Sequence, residues 1–353
     1  MTRPAGSTRS RRLAPTRSGL GLRWGLLLPV LGLAVLFVVS FGVGRYPLSP
    51  VTVLHVLTGQ VLHLPVSWTP EDQAVMLQIR LPRMLGAVLV GAALASSGAA
   101  YQTIFRNPLV SPEILGVAAG AGFGASVGIL LGVPSSVLQL LAFGCGLLAA
   151  GLAMGIGRVV GKGSLIVLVL GGVVIGALFT ALISGTEYFA NPETTLPVIV
   201  FWLFGSLARI SMGGLVLPVG IITVCLVTLY AIRWPLTVLA TGDDEARTLG
   251  VNRALIWTLA IGAATLMTAT AVSIAGIIGW VGLVVPHLAR AVVGPSFTWL
   301  LPASAMVGAG YLLAVDDVAR SATALDLPLG ILTALIGAPF FVALLAKVGR
   351  QWL

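Results

Sequence analysis

Long stretches without a single charged residue most constrain how this chain can fold. Residues 24–43 and 165–183 are two of them. A helix needs roughly 20 apolar residues to cross a hydrocarbon core of about 30 Å, and both stretches are close to that length. Over the whole chain only 9% of residues are charged and 58% are hydrophobic, so lipid must solvate most of the surface. Strands of a membrane barrel would alternate polar and apolar residues, which these stretches do not. The sequence therefore predicts an all-α, polytopic membrane protein.

Hydropathy along the chain predicts about ten membrane-spanning helices. They are expected near residues 24–44, 84–105, 113–132, 137–157, 165–185, 210–232, 254–273, 276–293, 300–319 and 328–347. The apolar stretch 196–204 is too short to span and predicts a short helix near the outer surface. With a cytoplasmic N-terminus, fifteen of the 20 lysines and arginines fall on cytoplasmic segments. This asymmetry obeys the positive-inside rule, so we expect both termini in the cytoplasm and a multi-pass protein of the bacterial inner membrane.

The N-terminal region has an unusual charge distribution. Residues 1–23 carry six arginines and no acidic residue, and an apolar run follows. This order is also found in secretory signals, but the run is long and no small-residue cleavage site follows it. We therefore expect a basic cytoplasmic tail over 1–23 and a transmembrane domain over 24–353. The net charge of +9 does not indicate nucleic-acid binding, which would need a basic face on a soluble surface.

Motifs for catalysis or metal binding are not found in the sequence. Residues 157–164 come nearest to a phosphate-binding loop, but the spacing is short and Gly163 stands where a hydroxyl residue is required. Cys145 and Cys225 lie inside apolar runs, where packing is the expected role, and His287 is a lone histidine. We expect no catalytic, cofactor-binding or metal-binding residue in this chain. If ATP drives the protein, a partner chain must bind the ATP and Mg²⁺.

Small residues and one acidic pair indicate packing within the bundle. Gly116, Gly120, Gly124, Gly128 and Gly132 recur every four residues and predict a flat helix face against a neighbouring backbone. Asp316 and Asp317 fall in the outer half of the ninth predicted span, near Arg320. We expect a local ion network or a water-lined vestibule there.

A polar segment on the predicted cytoplasmic side interrupts the apolar pattern. Residues 241–251 begin with acids and end in Leu-Gly, which predicts a short capped helix within about 240–253. Ala246 and Leu249 lie at helical spacing beside Glu245 and Arg247. That pattern favours docking in a groove of a partner over a passive solvated loop.

Two arginines mark the predicted outer side. Arg80 and Arg83 flank Pro82, a residue suited to a first helical turn, so they are expected to open the second span. Cations at that position oppose the positive end of the helix dipole, and an anionic partner is therefore expected. Lipid phosphate and an acidic patch on a docked protein are the two candidates.

Three blocks of sequence resemble one known family. The first is residues 79–83, with 89–94 and 105–109 following it, the second is 275–290, and the third is 327–341. Together they resemble the FecCD-type permease subunits of ABC importers for iron-siderophores, haem and vitamin B12. The similarity runs from about residue 45 to the C-terminus.

The resemblance implies partners and roles for individual residues. It implies ten helices per subunit, a homodimer with the transport path along its axis, two cytoplasmic ATPase subunits and a periplasmic binding protein. Carboxylates of the binding protein would dock on Arg80, Arg83 and Arg320. The fifth span would line the path, and the loop before it, with Gly163, Ser164 and Leu165, would form a cytoplasmic gate. The ATPase would receive Gly242, Asp243, Asp244, Glu245, Ala246, Arg247, Leu249 and Gly250.

Two other functions and several cargoes stay open on the sequence. An ion-coupled secondary transporter should carry a buried carboxylate or an ion site within a span, and none is evident. A lipid-modifying membrane enzyme should have polar groups clustered at one interface. The cargo could be haem, an iron-siderophore or a corrinoid. His55 and His63, in the first outer loop, are compatible with haem but do not decide the matter.

Overall fold

The computed structural model describes residues 19–62, 68–161, 164–323 and 325–349, and within these ranges every regular element is a helix. A π-helical turn, Val75–Arg80, joins α3 to α4, and a 3₁₀ turn, Pro112–Leu115, precedes α5. The α-helices are α1 (Gly19–Ser40), α2 (Pro50–Leu62), α3 (Pro70–Ala74), α4 (Leu81–Ile104), α5 (Val117–Leu130), α6 (Ser135–Val159), α7 (Leu165–Phe189), α8 (Thr195–Leu203), α9 (Met212–Ala231), α10 (Arg233–Thr241), α11 (Asp243–Thr248), α12 (Arg253–Ala275), α13 (Val281–Val293), α14 (Phe297–Ser321) and α15 (Leu329–Gly349).

The helices confirm an all-α polytopic membrane protein. In the described part of the chain, six helices are long and apolar enough to cross a bilayer: α6, α7, α9, α12, α14 and the continuous helix from Pro70 to Ile104. Shorter apolar helices lie in α1, α2, α5, α13 and α15. The ten predicted spans fall on α1, α4 to α7, α9 and α12 to α15, and the predicted short helix is α8. Residues 1–18 of the predicted tail lie outside the described ranges, and residues 19–23 already belong to α1.

The centre of the bundle is built around α4 and α12. Most residues of these two helices are buried, whereas α6, α7 and α9 expose large apolar side chains such as Leu140, Val174 and Val216. Small residues dominate α4, and they allow other helices to approach its backbone closely. A Cβ added to Gly98 would lie 1.8 Å from the carbonyl oxygen of Gly282 on α13. A Cβ added to Gly91 would lie 2.2 Å from the carbonyl oxygen of Gly308 on α14.

Substitution of Gly98 by alanine is expected to destabilise the fold. The new methyl group would meet backbone, which cannot move aside as a side-chain tip can, and such overpacking costs about 1–3 kcal/mol. Gly151→Ala in α6 is the matched control, because no atom of another segment lies within 4 Å of its Cβ position. Thermal unfolding in detergent measures both variants. Equal midpoints for Gly98→Ala and Gly151→Ala would contradict the close approach of α4 and α13.

The third predicted span begins differently from the expectation. Residues 113–132 were expected as one helix, but the chain forms the 3₁₀ turn, then Gly116 at φ +74°, and only then α5. Gly116 packs closely against α7 at this break, since a Cβ at this position would lie 3.0 Å from the backbone nitrogen of Gly176. The predicted glycine face is confirmed further along, where Gly120 and Gly124 pack against the backbone of α6. Gly132 has nothing within 4 Å and does not belong to this face.

A second break separates α12 from α13. The two predicted spans were almost contiguous, but residues 276–280 are not helical. Gly276 has φ +72° and Trp280 has φ +70°. A Cβ on Gly276 would lie 2.3 Å from the carbonyl oxygen of Trp202, so the end of α8 packs directly on this break. The backbone N–H of Ser206 donates to the carbonyl oxygen of Ala275 at 2.8 Å and fixes the contact.

Candidate functional site

A cluster of buried charges holds α1, α4 and α14 together at one end of the bundle. Arg83, near the start of α4, donates through Nε to both carboxylate oxygens of Asp316 at 2.9 and 3.0 Å. Its Nη1 donates to Asp326 Oδ2 at 2.6 Å. Asp316 has no exposed surface, so this pair replaces the water that its carboxylate loses on folding.

Arg320 extends the cluster to α1. Its Nη2 donates to Asp317 Oδ1 and to the carbonyl oxygen of Ser40, the latter at 2.6 Å. The hydroxyl of Ser40 donates in turn to Asp317 Oδ2 at 2.6 Å. The ion network predicted for Asp316, Asp317 and Arg320 is therefore confirmed.

Arg80 makes backbone contacts instead of ion pairs. Its guanidinium donates to the carbonyl oxygen of Phe41 and, at 2.6 Å, to that of Tyr46. Both acceptors lie in the loop between α1 and α2. Arg80 thus fixes this loop against the start of α4.

The structure corrects the argument that Arg80 and Arg83 lie at the start of a helix. The helix does not begin at Arg80 but at Pro70, where Thr69 accepts a hydrogen bond from the backbone of Asp72. Arg80 and Arg83 therefore lie inside a long helix, where the dipole argument for an external anion does not apply. Pro82 cannot donate to an i−4 carbonyl, and the preceding turn widens to a π-helix in which the Leu81 N–H reaches Met76 O.

Burial also changes how the predicted docking arginines can act. Arg80, Arg83 and Arg320 are only 4, 8 and 5% exposed, and each donates hydrogen bonds to acceptors within the chain. Arg45 and Asp326 form an accessible ion pair at this end, with side chains 46 and 25% exposed and joined at 3.1 Å. Docking on the three buried arginines stays a prediction.

The predicted cytoplasmic segment folds into two short helices, α10 and α11. The sequence predicted a helix at α11 and made no prediction for residues 233–239, which form most of α10. Asp243, the first residue of α11, forms ion pairs with Arg106 and, at 2.7 Å, with Arg253. Arg106 follows α4 and also donates to Leu239 O in α10 at 2.9 Å. Asp243 thus ties α11 to the end of α4 and the start of α12.

The outward face of α11 is small and mostly charged. Asp244, Glu245 and Arg247 are exposed, and Leu249 is 56% exposed directly after the helix. Ala246 is 1% exposed and packs against its own chain, which leaves Leu249 as the accessible apolar side chain of the predicted pair. Gly242 separates α10 from α11, and Gly250, at φ +72°, ends the segment as the sequence predicted.

The two charged sites lie at opposite ends of one helix. α4 has 24 residues, about 36 Å at 1.5 Å per residue, which is the thickness of a membrane's apolar core with some margin. Arg83 lies at one end and Arg106 follows the other. The arginines around Arg83 and the charged residues around Asp243 therefore lie at opposite ends of α4.

The predicted gate residues are described only in part. Gly163 lies outside the described residues. Ser164 precedes α7, and its N–H donates to Gly161 O at 2.7 Å, while Leu165 is the first residue of the helix. Ser164 also lines a cavity of about 600 Å³ between α6, α7 and α12, which contains Arg158 and Arg253. Nothing in this arrangement tests a gating role.

Sequence reasoning missed one acidic residue at the junction of two membrane helices. Glu113 lies in the 3₁₀ turn between α4 and α5 and is exposed. No hydrogen bond or ion pair joins its carboxylate to any residue in the part of the chain that the structure describes. The signal was a lone acid at the edge of a glycine-rich apolar segment, but the continuous helix expected there placed it at the membrane surface.

These features define a helical membrane protein with a charged contact site at each face, broken helices at its centre and no catalytic group assigned. The profile of the FecCD transport family matches residues 32–347, and the chain belongs to this family. The molybdate import system permease protein MolB of Haemophilus influenzae is 41% identical over 320 residues, 90% of this chain and 94% of that protein. The vitamin B12 import system permease protein BtuC of Escherichia coli O127:H6 is 36% identical, covering 96% of this chain and 99% of that protein.

A solved structure agrees with these relatives. It is described as an inward-facing conformation of a putative metal-chelate type ABC transporter, with a TM-score of 0.81 and 40% identity over 91% of this chain and 98% of that one. The predicted family is confirmed, and the chain is the permease subunit of an ABC importer. A transport subunit without its own ATPase is confirmed by the same relatives, which favour neither the secondary transporter nor the lipid-modifying enzyme.

Proposed function

We propose that two copies of this chain form the membrane channel of an ATP-driven importer that carries a metal chelate across the bacterial inner membrane. The channel runs along the axis of the homodimer, and both termini lie in the cytoplasm. Two ATPase subunits bind at α10 and α11, and a periplasmic binding protein delivers cargo at the opposite face. ATP and Mg²⁺ belong to the ATPase subunits.

The observation that carries this proposal is the way α11 is held. Asp244, Glu245 and Leu249 are exposed, while Asp243 is clamped between Arg106 and Arg253. A partner that moves α11 therefore pulls on α4 and α12, the two central helices. Such a connection converts a change at the ATPase into a change in the packing of the bundle.

The exposed face of α7 supports a homodimer. Leu170, Val173, Val174 and Leu178 lie on that face and are 51 to 62% exposed. In the proposed homodimer this helix lines the transport path and lies next to the second copy.

The outer cluster supports docking by an acidic surface. It contains four arginines, Arg45 with the three buried ones, against three aspartates, so one positive charge is left over. Arg45 and Asp326 form the accessible rim of this cluster. A binding protein would meet the rim first and reach the buried arginines only by displacing internal carboxylates.

The cargo is proposed as a class of molecule. One relative is named for molybdate, another for vitamin B12, and the solved structure for a metal chelate. All three are small molecules that contain a metal. Iron-siderophores, haem and corrinoids are therefore the cargoes to test for this chain, and exposed His55 on α2 does not decide between them.

Transport by a reconstituted complex tests the proposed function. The permease is placed in proteoliposomes with its ATPase and its binding protein loaded with candidate chelates. Uptake is expected only when ATP is present on the side of the membrane that carries the ATPase subunits. Vanadate should abolish this uptake. An ATPase variant unable to hydrolyse ATP is the matched control. Uptake driven by an ion gradient without ATP would overturn the proposal.

A further inference from the structure

Two breaks in helices meet inside the membrane domain. One is the segment 105–116 between α4 and α5, and the other is 276–280 between α12 and α13. The Oε1 atom of Glu113 in the first break lies 3.4 Å from the Cβ position of Gly279 in the second. Non-helical backbone at membrane depth is tolerated only where protein buries it or a water-filled cavity solvates it.

The packing on α7 shows how deep this junction lies. The carbonyl oxygen of Ile114 is 1.9 Å from the Cβ position of Gly172, and the backbone of Gly116 contacts Gly176. These glycines are seven and eleven residues from the start of α7, or about 10 and 16 Å along the helix. The whole helix is about 37 Å long, so Glu113 lies well inside the apolar layer.

An exposed carboxylate at that depth needs an explanation. Glu113 has no partner among the described residues, and an ionised carboxylate does not face lipid tails without a large cost. The side chain must therefore face a second protein surface or a space that holds water. A groove that begins at Gly279, beside this carboxylate, offers space for water.

A groove of about 490 Å³ begins at the same glycine. Gly279 and Trp280 form its floor, Leu203 and Phe204 of α8 and its end form one wall, and Ile331 and Leu335 of α15 form the other. Its lining is almost entirely apolar. Glu113 does not line the groove itself, but its carboxylate lies beside Gly279 at the edge of the groove. Small-molecule sites are mostly apolar, and a few polar groups set their specificity.

We propose that Glu113 faces the transport path and selects cargo by charge. Neutral or positively charged chelates with an apolar surface would pass this point, whereas free oxyanions would be repelled. A cargo such as molybdate, for which one relative is named, would therefore be disfavoured in this chain. The cargo statement rests on the proposed importer function, but the charge and the water access of the site are tested without it.

The test uses thiol-reactive reagents as charged probes. In a chain with Cys145 and Cys225 replaced by alanine, Gly279→Cys introduces a cysteine whose Cβ position lies 3.4 Å from Glu113 Oε1. The permease in liposomes is treated with a trimethylammonium or a sulfonate methanethiosulfonate, and the modified fraction is followed by mass spectrometry. Relative to the ratio measured for a free thiol, the rate of the cationic reagent over that of the anionic one is expected to rise about tenfold. This is a modest case of electrostatic enrichment of a counter-ion.

The companion variants separate charge from access. Glu113→Gln in the same background should bring the rate ratio of the two reagents back to that of a free thiol, and Glu113→Asp should keep most of the preference. Val216→Cys, on the exposed face of α9, should react with neither reagent because lipid covers it. If Gly279→Cys disturbs folding, Ile331→Cys on the opposite wall of the groove serves as a second reporter.

Two results would overturn the proposal. Failure of both reagents to reach either cysteine would show that the groove is dry. An unchanged rate ratio in Glu113→Gln would show that its carboxylate does not control passage. A preserved ratio together with absent ATP-driven uptake would instead reject the proposed function and leave the charged, water-accessible site in place.

Discussion

Arg83→Glu is expected to unfold the outer end of the bundle, not merely to weaken docking of a partner. The substitution removes the cation between Asp316 and Asp326 and adds a third carboxylate to the same buried space. Breaking a buried ion pair costs about 3–5 kcal/mol, because the remaining charge is left without a partner. The midpoint of thermal unfolding in detergent should fall sharply, with loss of the folded peak in size-exclusion chromatography.

Arg45→Glu is the control for this prediction. Arg45 pairs with the same Asp326, but its side chain is 46% exposed, and exposed pairs are worth about 0–1 kcal/mol. Its unfolding midpoint should stay close to that of the unaltered protein. If Arg83→Glu instead kept a normal midpoint and lost only affinity for the binding protein, the guanidinium would be free for docking, and the internal ion pairs would be of no consequence.

The change in the role assigned to Arg83, from docking to internal ion pairing, shows what the sequence could predict at this site. The residues were identified correctly, because arginines are rare in a chain with 9% charged residues. Their partners were not, since Asp316 and Asp326 lie more than two hundred residues away along the chain. Pro82 is a residue typical of a first helical turn, so the sequence predicted the helix start there. The helix begins two turns or more earlier, where Thr69 and Asp72 form its cap.

Helix positions were predicted well because hydrophobic length is a local property. The breaks at Gly116 and at 276–280 were missed, since both depend on contacts with other segments. A glycine in an apolar run predicts close packing or a kink equally well, and only the neighbouring backbone of α7 or α8 distinguishes them. Glu113 was overlooked for the same reason, because its depth follows from the break and not from the hydropathy.

The cytoplasmic segment shows the same limit on a smaller scale. Acids followed by Leu-Gly predicted α11 and its end at Gly250 from local signals. Which side of α11 faces outward depends on the clamp at Asp243, whose partners come from α4 and α12. Ala246 therefore turned out to be internal, and Leu249 is the apolar side chain left for a partner.

Leu249→Ala is expected to uncouple ATP hydrolysis from transport. A leucine that becomes buried in a partner's groove contributes about 1.5–3 kcal/mol relative to its exposed state, so its truncation should lower uptake by roughly tenfold or more. ATP hydrolysis by the assembled complex should persist, because the ATPase sites belong to the partner. Uptake and phosphate release are measured on the same proteoliposomes, and their ratio reports coupling. Glu245→Lys, beside it on α11, should lower the ratio as well.

The same substitution at the far side of the membrane provides the control. Leu131 follows α5 at the end opposite to α11 and is 69% exposed, so Leu131→Ala removes the same methyl groups without touching the ATPase contact. Its uptake per ATP should equal that of the unaltered protein. If Leu249→Ala and Glu245→Lys also kept a normal ratio, α11 would be a passive loop, and the ATPase would have to engage another surface of the chain. The clamp at Asp243 would then serve only to hold α10 and α11 against the bundle.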